Sequence, residues 1–186
     1  MSVQIERRTF SVGDYYRMVE VGLLTEGERV ELIEGEVIKM SPIGSRHAAC
    51  VSRLNMLFTE SMGRQAIVSV QNPVRLDEYN EPEPDVAVLR PRADFYAAGH
   101  PTPPDVLLLV EVADTSIEYD RQVKAPLYAR AGVAEVWLVD LTSDVVEIYA
   151  QPDEGTYRSR RRVGRGESVA AGSLANLSVA VDEVLG

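Results

Sequence analysis

Residues 106–112 read VLLLVEV, and the glutamate inside that run constrains this chain more than any other feature. A nearly continuous run of branched apolar residues marks a central strand covered on both faces of a sheet. A carboxylate at position 111 of such a strand is costly. Burying an unpaired charge costs several kcal/mol or more, so Glu111 has to be paired or has to help hold a cation.

The segments around this strand alternate between helical and extended patterns. Tyr15, Met18 and Val19 fall at helical spacing within residues 11–24, with Ser11 or Asp14 as cap. Residues 29–40 alternate apolar and polar about Glu34-Gly35, which predicts a β-hairpin. Residues 45–62 read as a helix with Ala49, Leu54, Leu57, Phe58 and Met62 mostly on one face, Ser45 as cap and Gly63 as stop. Strands are expected at 66–71, 73–77, 85–89, 135–140 and 145–150, and edge strands at 157–163 and 167–170. The Pro- and Ala-rich connection from 90 to 105 is long enough to be mobile or substrate-facing. Pro126 fits only the first turn of a helix, which places a helix start at about 120–123 and its end at Ala131. This order predicts an α/β fold, with a mixed central sheet flanked by helices.

The length, 186 residues, fits one domain spanning 1–186. The single cysteine, Cys50, allows no internal disulfide and reads as a small buried residue. The charged N-terminal stretch (Glu6, Arg7, Arg8) does not resemble a secretion signal, and apolar runs such as Val106–Val110 are too short to span a bilayer. A cytoplasmic protein without membrane attachment is expected. The net charge of −10 opposes approach to phosphate backbones. The basic residues are almost all arginine; Lys39 and Lys124 are the only lysines.

Three charged positions stand where apolar residues would be expected: Asp85 opening a strand, Glu111, and Lys124 on the following helix. Two carboxylates on adjacent strands repel and favour a divalent cation between them, and hard oxygen ligands suit Mg²⁺ or Mn²⁺. A nearby ammonium can stabilise charge developing on a phosphorane. The plainer reading of Lys124 is an exposed helix residue ion-paired with Asp120 one turn earlier.

The segment EPDVAVL (83–89) followed by LLLVEVADTS (107–116) resembles the PD…(D/E)XK pattern of nucleases. ELIEGEV (31–37), SRH (45–47), YDRQVK (119–124) and YARAGVAEVWLVD (128–140) follow in order, and together these segments resemble the Uma-two family of restriction-endonuclease-like proteins over residues 10–150. The resemblance implies a restriction-endonuclease-like core. It implies that Asp85 and Glu111 ligate Mg²⁺ or Mn²⁺, with the backbone carbonyl of Val112 completing the site. Position 113 is Ala, so the usual lysine of that motif is absent; Lys124 matches the position to which similar members move it. Glu31 and His47 match two further recurrent positions, as an added carboxylate and as a base or phosphate contact. Asp114 and Ser116 read as braces of the turn after the strand, and Trp137 and Tyr128 as core or interface. The run Arg158, Arg160, Arg161, Arg162 is a solvated strand and also the densest positive patch in the chain.

A metal-dependent endonuclease acting on nucleic acid, DNA first, is the leading expectation. A homodimer would use apolar surface at the hairpins and the strand around Trp137. The competing expectation is a nuclease fold kept as a binding or accessory module with little or no turnover. A hydrolase of a small phosphorylated molecule, with 90–105 as a lid, ranks last.

Overall fold

The structure is a computed structural model describing residues 7–25, 27–174 and 177–186. Part of the charged N-terminal stretch, including Glu6, lies outside the described residues.

Helix α1 (Val12–Glu20) starts in a capping box: the Ser11 hydroxyl accepts from the Asp14 N–H, and the Asp14 carboxylate accepts from the Ser11 N–H. The hairpin β1 (Val30–Ile33) and β2 (Glu36–Lys39) turns at Glu34 and Gly35. Both have positive φ, 52° and 73°, the handedness that two-residue hairpin loops favour. A Cβ on Gly35 would come within 2.5 Å of the Thr9 Cβ, so this position excludes side chains on two counts.

Helix α2 (Ser45–Met62) has the expected bounds, but its cap is Gly44, and Ser45 is the first helical residue. Its inward face is Cys50, Val51, Leu54, Phe58 and Met62; Ala49, expected on that face, is exposed.

Strands β3 (Ile67–Val70), β4 (Val86–Leu89), β5 (Val106–Ala113), β6 (Glu135–Asp140), β7 (Val145–Asp153) and β8 (Thr156–Gly164) form one mixed sheet in that order. Only β5 and β6 pair in parallel; the other neighbours are antiparallel. One face carries α2 and α5 (Val181–Leu185) around Trp137, Val110 and Val139. The other carries α4 (Ala125–Arg130) around Leu109, Leu138 and Tyr149. The architecture is the expected α/β one.

Several expectations fail for identifiable reasons. Residues 73–77 form no ladder: Val74, Arg75 and Leu76 donate their N–H groups to Pro82, Pro101 and Asn80 carbonyls, while Val74 and Leu76 are buried. The alternation there reflects loop packing. The expected strand near 167–170, β9 (Ser168–Ala170), is outside the main sheet; it pairs with β10 (Ser178–Ala180), which had no signal. Trp137 is fully buried against Phe58, with ring centroids 5.8 Å apart, so its strand offers no dimer surface.

The helix after β5 begins earlier than Pro126 required, at α3 (Ile117–Tyr119), and passes through a π-helical turn (Asp120–Lys124) into α4. Pro126 lacks the N–H that would bond one turn back, and the wide turn lies immediately before it. Both ends of that turn, Asp120 and Lys124, are buried.

Candidate active site

Val86 of β4 lies opposite Val110 of β5, so the next positions, Asp85 and Glu111, face each other where β4 begins. Successive side chains of a strand point to opposite faces. Leu109 packs in the layer beneath α4, and Glu111 two residues on points the same way.

A cavity of about 480 Å³ opens at this end of the sheet. Glu31, His47, Asp85, Glu111, Val112 and Lys124 all line it. Both lysines of the chain do so. Outside the C-terminal ends of strands is where ligands bind in open α/β sheets. None of the lining residues comes from 90–105. That segment joins the end of β4 to the start of β5, at the far end of the sheet, so its expected role as a lid has no geometric support.

The three acids and the lysine are deeply buried: Glu31 and Glu111 are 3% exposed, Asp85 7% and Lys124 5%. The Lys124 ammonium lies 3.0 Å from Glu31 Oε2 and 3.2 Å from Glu111 Oε1. Its ion pairs are therefore long-range, and the local pair with Asp120 is not made; the Asp120 carboxylate accepts from the Ser116 hydroxyl instead. Tyr128 donates its hydroxyl to Glu111 Oε1 at 2.5 Å. Asp85 Oδ2 accepts from the Val112 N–H at 2.8 Å and lies 3.0 Å from His47 Nε2, and Oδ1 accepts from the Gln71 side-chain amide at 3.1 Å. The two carboxylates are thus already compensated by protein donors, the pairing that the sequence left open beside a cation.

Charge states follow from these contacts. Burial pushes the Glu111 carboxyl up to about 8, against the pull of Lys124. Burial also raises Asp120, to about 6. At Asp85 burial acts upward too, but His47, the Val112 N–H and Gln71 outweigh it and hold the carboxyl below its ordinary value. The hydrogen bond to Asp85 raises His47 in turn. For Lys124 the carboxylates around it outweigh burial, so it stays charged. With Asp85 ionised, His47 Nε2 carries the donated proton; Nδ1 is buried and has no protein partner.

The oxygen-rich donor set suits a hard divalent cation such as Mg²⁺ or Mn²⁺. Among the described residues no three or more His, Cys, Asp or Glu side chains are grouped to enclose a metal. Mg²⁺ is commonly held by one or two carboxylates, with waters and substrate oxygens completing its octahedron, so the donors present fit that ion.

Two contributors escaped the sequence reading. Tyr128 is four residues after Lys124, a helical spacing that places both on one face. Gln71 left no local signal; its contact depends on the pairing of β3 with β4.

A family model described as "Putative restriction endonuclease", Uma2, matches residues 12–182. The chain belongs to the Uma2 family. The resemblance read over residues 10–150 thereby extends over nearly the whole chain. A crystal structure from Anabaena variabilis, described as a "putative nuclease" of DUF820, superposes with a TM-score of 0.72 at 15% identity, covering 95% of this Uma2 chain and 97% of that one. At that identity the likeness establishes the fold. No curated protein matches the chain.

Proposed function

We propose that this Uma2 protein is a metal-dependent endonuclease that hydrolyses phosphodiester bonds of nucleic acid, DNA first, at the floor of the cavity. The observation carrying this reading is the convergence of Asp85, Glu111 and Lys124 from β4, β5 and the π-helical turn onto one cavity. Asp85, Glu111 and the Val112 carbonyl would hold Mg²⁺ or Mn²⁺. When bound, the metal supplies Lewis-acid polarisation of the phosphate and a lowered pKa for water.

The chain's own groups have distinct parts. Tyr128 and Lys124 fix Glu111, and Gln71, Val112 and His47 fix Asp85. An ammonium has three donors, and Glu31 and Glu111 use two, so the third can serve a non-bridging phosphate oxygen as charge grows there. His47 positions Asp85 through its Nε2–H; its Nδ1 is buried, so the proton of the attacking water passes to solvent. Glu31 orients Lys124. Water oxygen bonds to phosphorus, the phosphorus–oxygen bond to the leaving strand breaks, and that oxygen is protonated.

Incubating labelled DNA and RNA with Mg²⁺ or Mn²⁺ tests the proposal. Cleavage by wild type, lost with EDTA, in Asp85→Ala and in Lys124→Ala, is expected, with circular dichroism verifying that each variant folds. Cleavage persisting in both variants would assign the activity to a contaminant. A second reading, a nuclease fold kept for binding, draws on the compensation of the carboxylates by protein donors. It predicts nucleic-acid binding without turnover under any of these metals. Fully buried Cys50, the only thiol, suits the reducing cytoplasm we assign to the protein.

A further inference from the structure

The basic residues of this acidic chain are unevenly committed. On β8, Arg158 pairs with Asp153, Arg162 pairs with Glu147, and the Arg160 guanidinium lies over the Tyr149 ring. Arg165, just beyond, bridges Asp144 and Asp182. Half of the densest positive run of the sequence is therefore ion-paired within its own protein, while Arg160 and Arg161 keep their charges on the outer edge of the sheet. Within the cavity, Lys124 and His47 are held by carboxylates.

Arg29 differs. It precedes β1, on the same hairpin as Glu31, and is the one arginine among the cavity's lining residues. Among the described residues it has no carboxylate partner; its side chain donates only to the Ser41 carbonyl, at 3.2 Å. Met40 and Ser41 border the cavity beside it, and Lys39 adds a second cation to the same lining. A guanidinium has five donors in a planar fork that matches phosphate oxygens two at a time. Committing one to a carbonyl leaves most of that fork free at the cavity wall.

We infer that Arg29 is the phosphate-anchoring residue of this site, gripping a backbone phosphate of the nucleic acid so that the scissile bond reaches Asp85 and Glu111. The inference rests on the nuclease reading above. It also accounts for how a chain of net charge −10 receives a polyanion: a localised cation at the wall of an acidic cavity, in place of a basic face.

The test is the salt dependence of binding to a labelled DNA oligonucleotide, followed by fluorescence anisotropy in EDTA and in Ca²⁺ between about 50 and 200 mM salt. Losing one phosphate contact lowers the slope of log affinity against log salt by about 0.9 for duplex and about 0.7 for single strands. Arg29→Gln is expected to show that change with a roughly tenfold loss of affinity. Arg29→Lys should recover the slope and only part of the affinity, because the charge returns without the fork. Arg161→Gln, an equal charge change on β8, should leave both intact. If Arg29 merely braces Ser41, Arg29→Gln will lower the melting temperature and leave the slope at its wild-type value, which would overturn the inference while the nuclease reading stands. A wild-type protein that neither binds nor cleaves nucleic acid would remove the nuclease reading, and this inference with it.

Discussion

Gln71 illustrates how much of this site depends on single side chains with unusual backbones. It has φ of 50°, a left-handed conformation that costs a non-glycine residue about 1 kcal/mol. Its N–H donates to the Asp85 carbonyl and its side-chain amide to the Asp85 carboxylate. Gln71→Gly should relieve the backbone while deleting the side-chain donor. The expected outcome is a melting temperature within a few degrees of wild type and a cleavage rate at least tenfold lower; an unchanged rate would remove Gln71 from the site. Lys124 is the opposite case. Lys124→Met leaves Glu31 and Glu111 buried without their cation, and a loss of about 3–5 kcal/mol in denaturant unfolding is expected. Tyr128→Phe removes one hydrogen bond to Glu111 and should cost about 1–2 kcal/mol.

At the scale of elements, the π-helical turn joins two networks. Its first and last residues face the cavity, while Arg121 reaches the neighbouring strand ends: its guanidinium donates to Glu147 at 2.8 and 3.1 Å and to Asp140 at 3.2 Å. Burial acts to raise both carboxyls. At Glu147, Arg121 outweighs it; at Asp140, the Ser143 and Thr142 N–H groups do so with Arg121, and both end below their ordinary values. A carboxyl lowered in the folded state contributes stability above its unfolded pKa, and that stability is lost as the pH falls through the folded value. Arg121→Met should therefore destabilise by about 2–4 kcal/mol at neutral pH. The gap to wild type should shrink as the pH drops below about 4, where both carboxyls take up protons. Urea unfolding at a series of pH values measures this; a gap independent of pH would show that the pairing contributes nothing.

At the scale of the molecule, the sheet ends in β3 and β8, and an open edge strand invites pairing with another copy. The exposed arginines of β8 oppose this, because like charges would meet across such a contact. Replacing Arg160 and Arg161 with valine should produce association detectable by light scattering, with cleavage per chain little changed. A variant that keeps the wild-type mass would argue that the edge is protected by shape alone. Among the described residues no helix is long and apolar enough to cross a membrane.

What the sequence determined by itself was whatever depends on near neighbours. The hairpin at Glu34-Gly35, the bounds of α2 and the burial of β5 follow from turn chemistry and periodicity, which act over a few residues. That Glu111 needed compensation was equally legible, because a charge inside an apolar strand is a local contradiction. Tertiary structure alone decided which group compensates it. Lys124 pairs with Glu31, far away in the chain, in place of Asp120 one turn back; Gln71 reaches Asp85 only because β3 pairs with β4; β9 leaves the main sheet for β10. Such choices turn on which desolvated groups can satisfy one another once strands and helices have packed, and short-range patterns do not encode that.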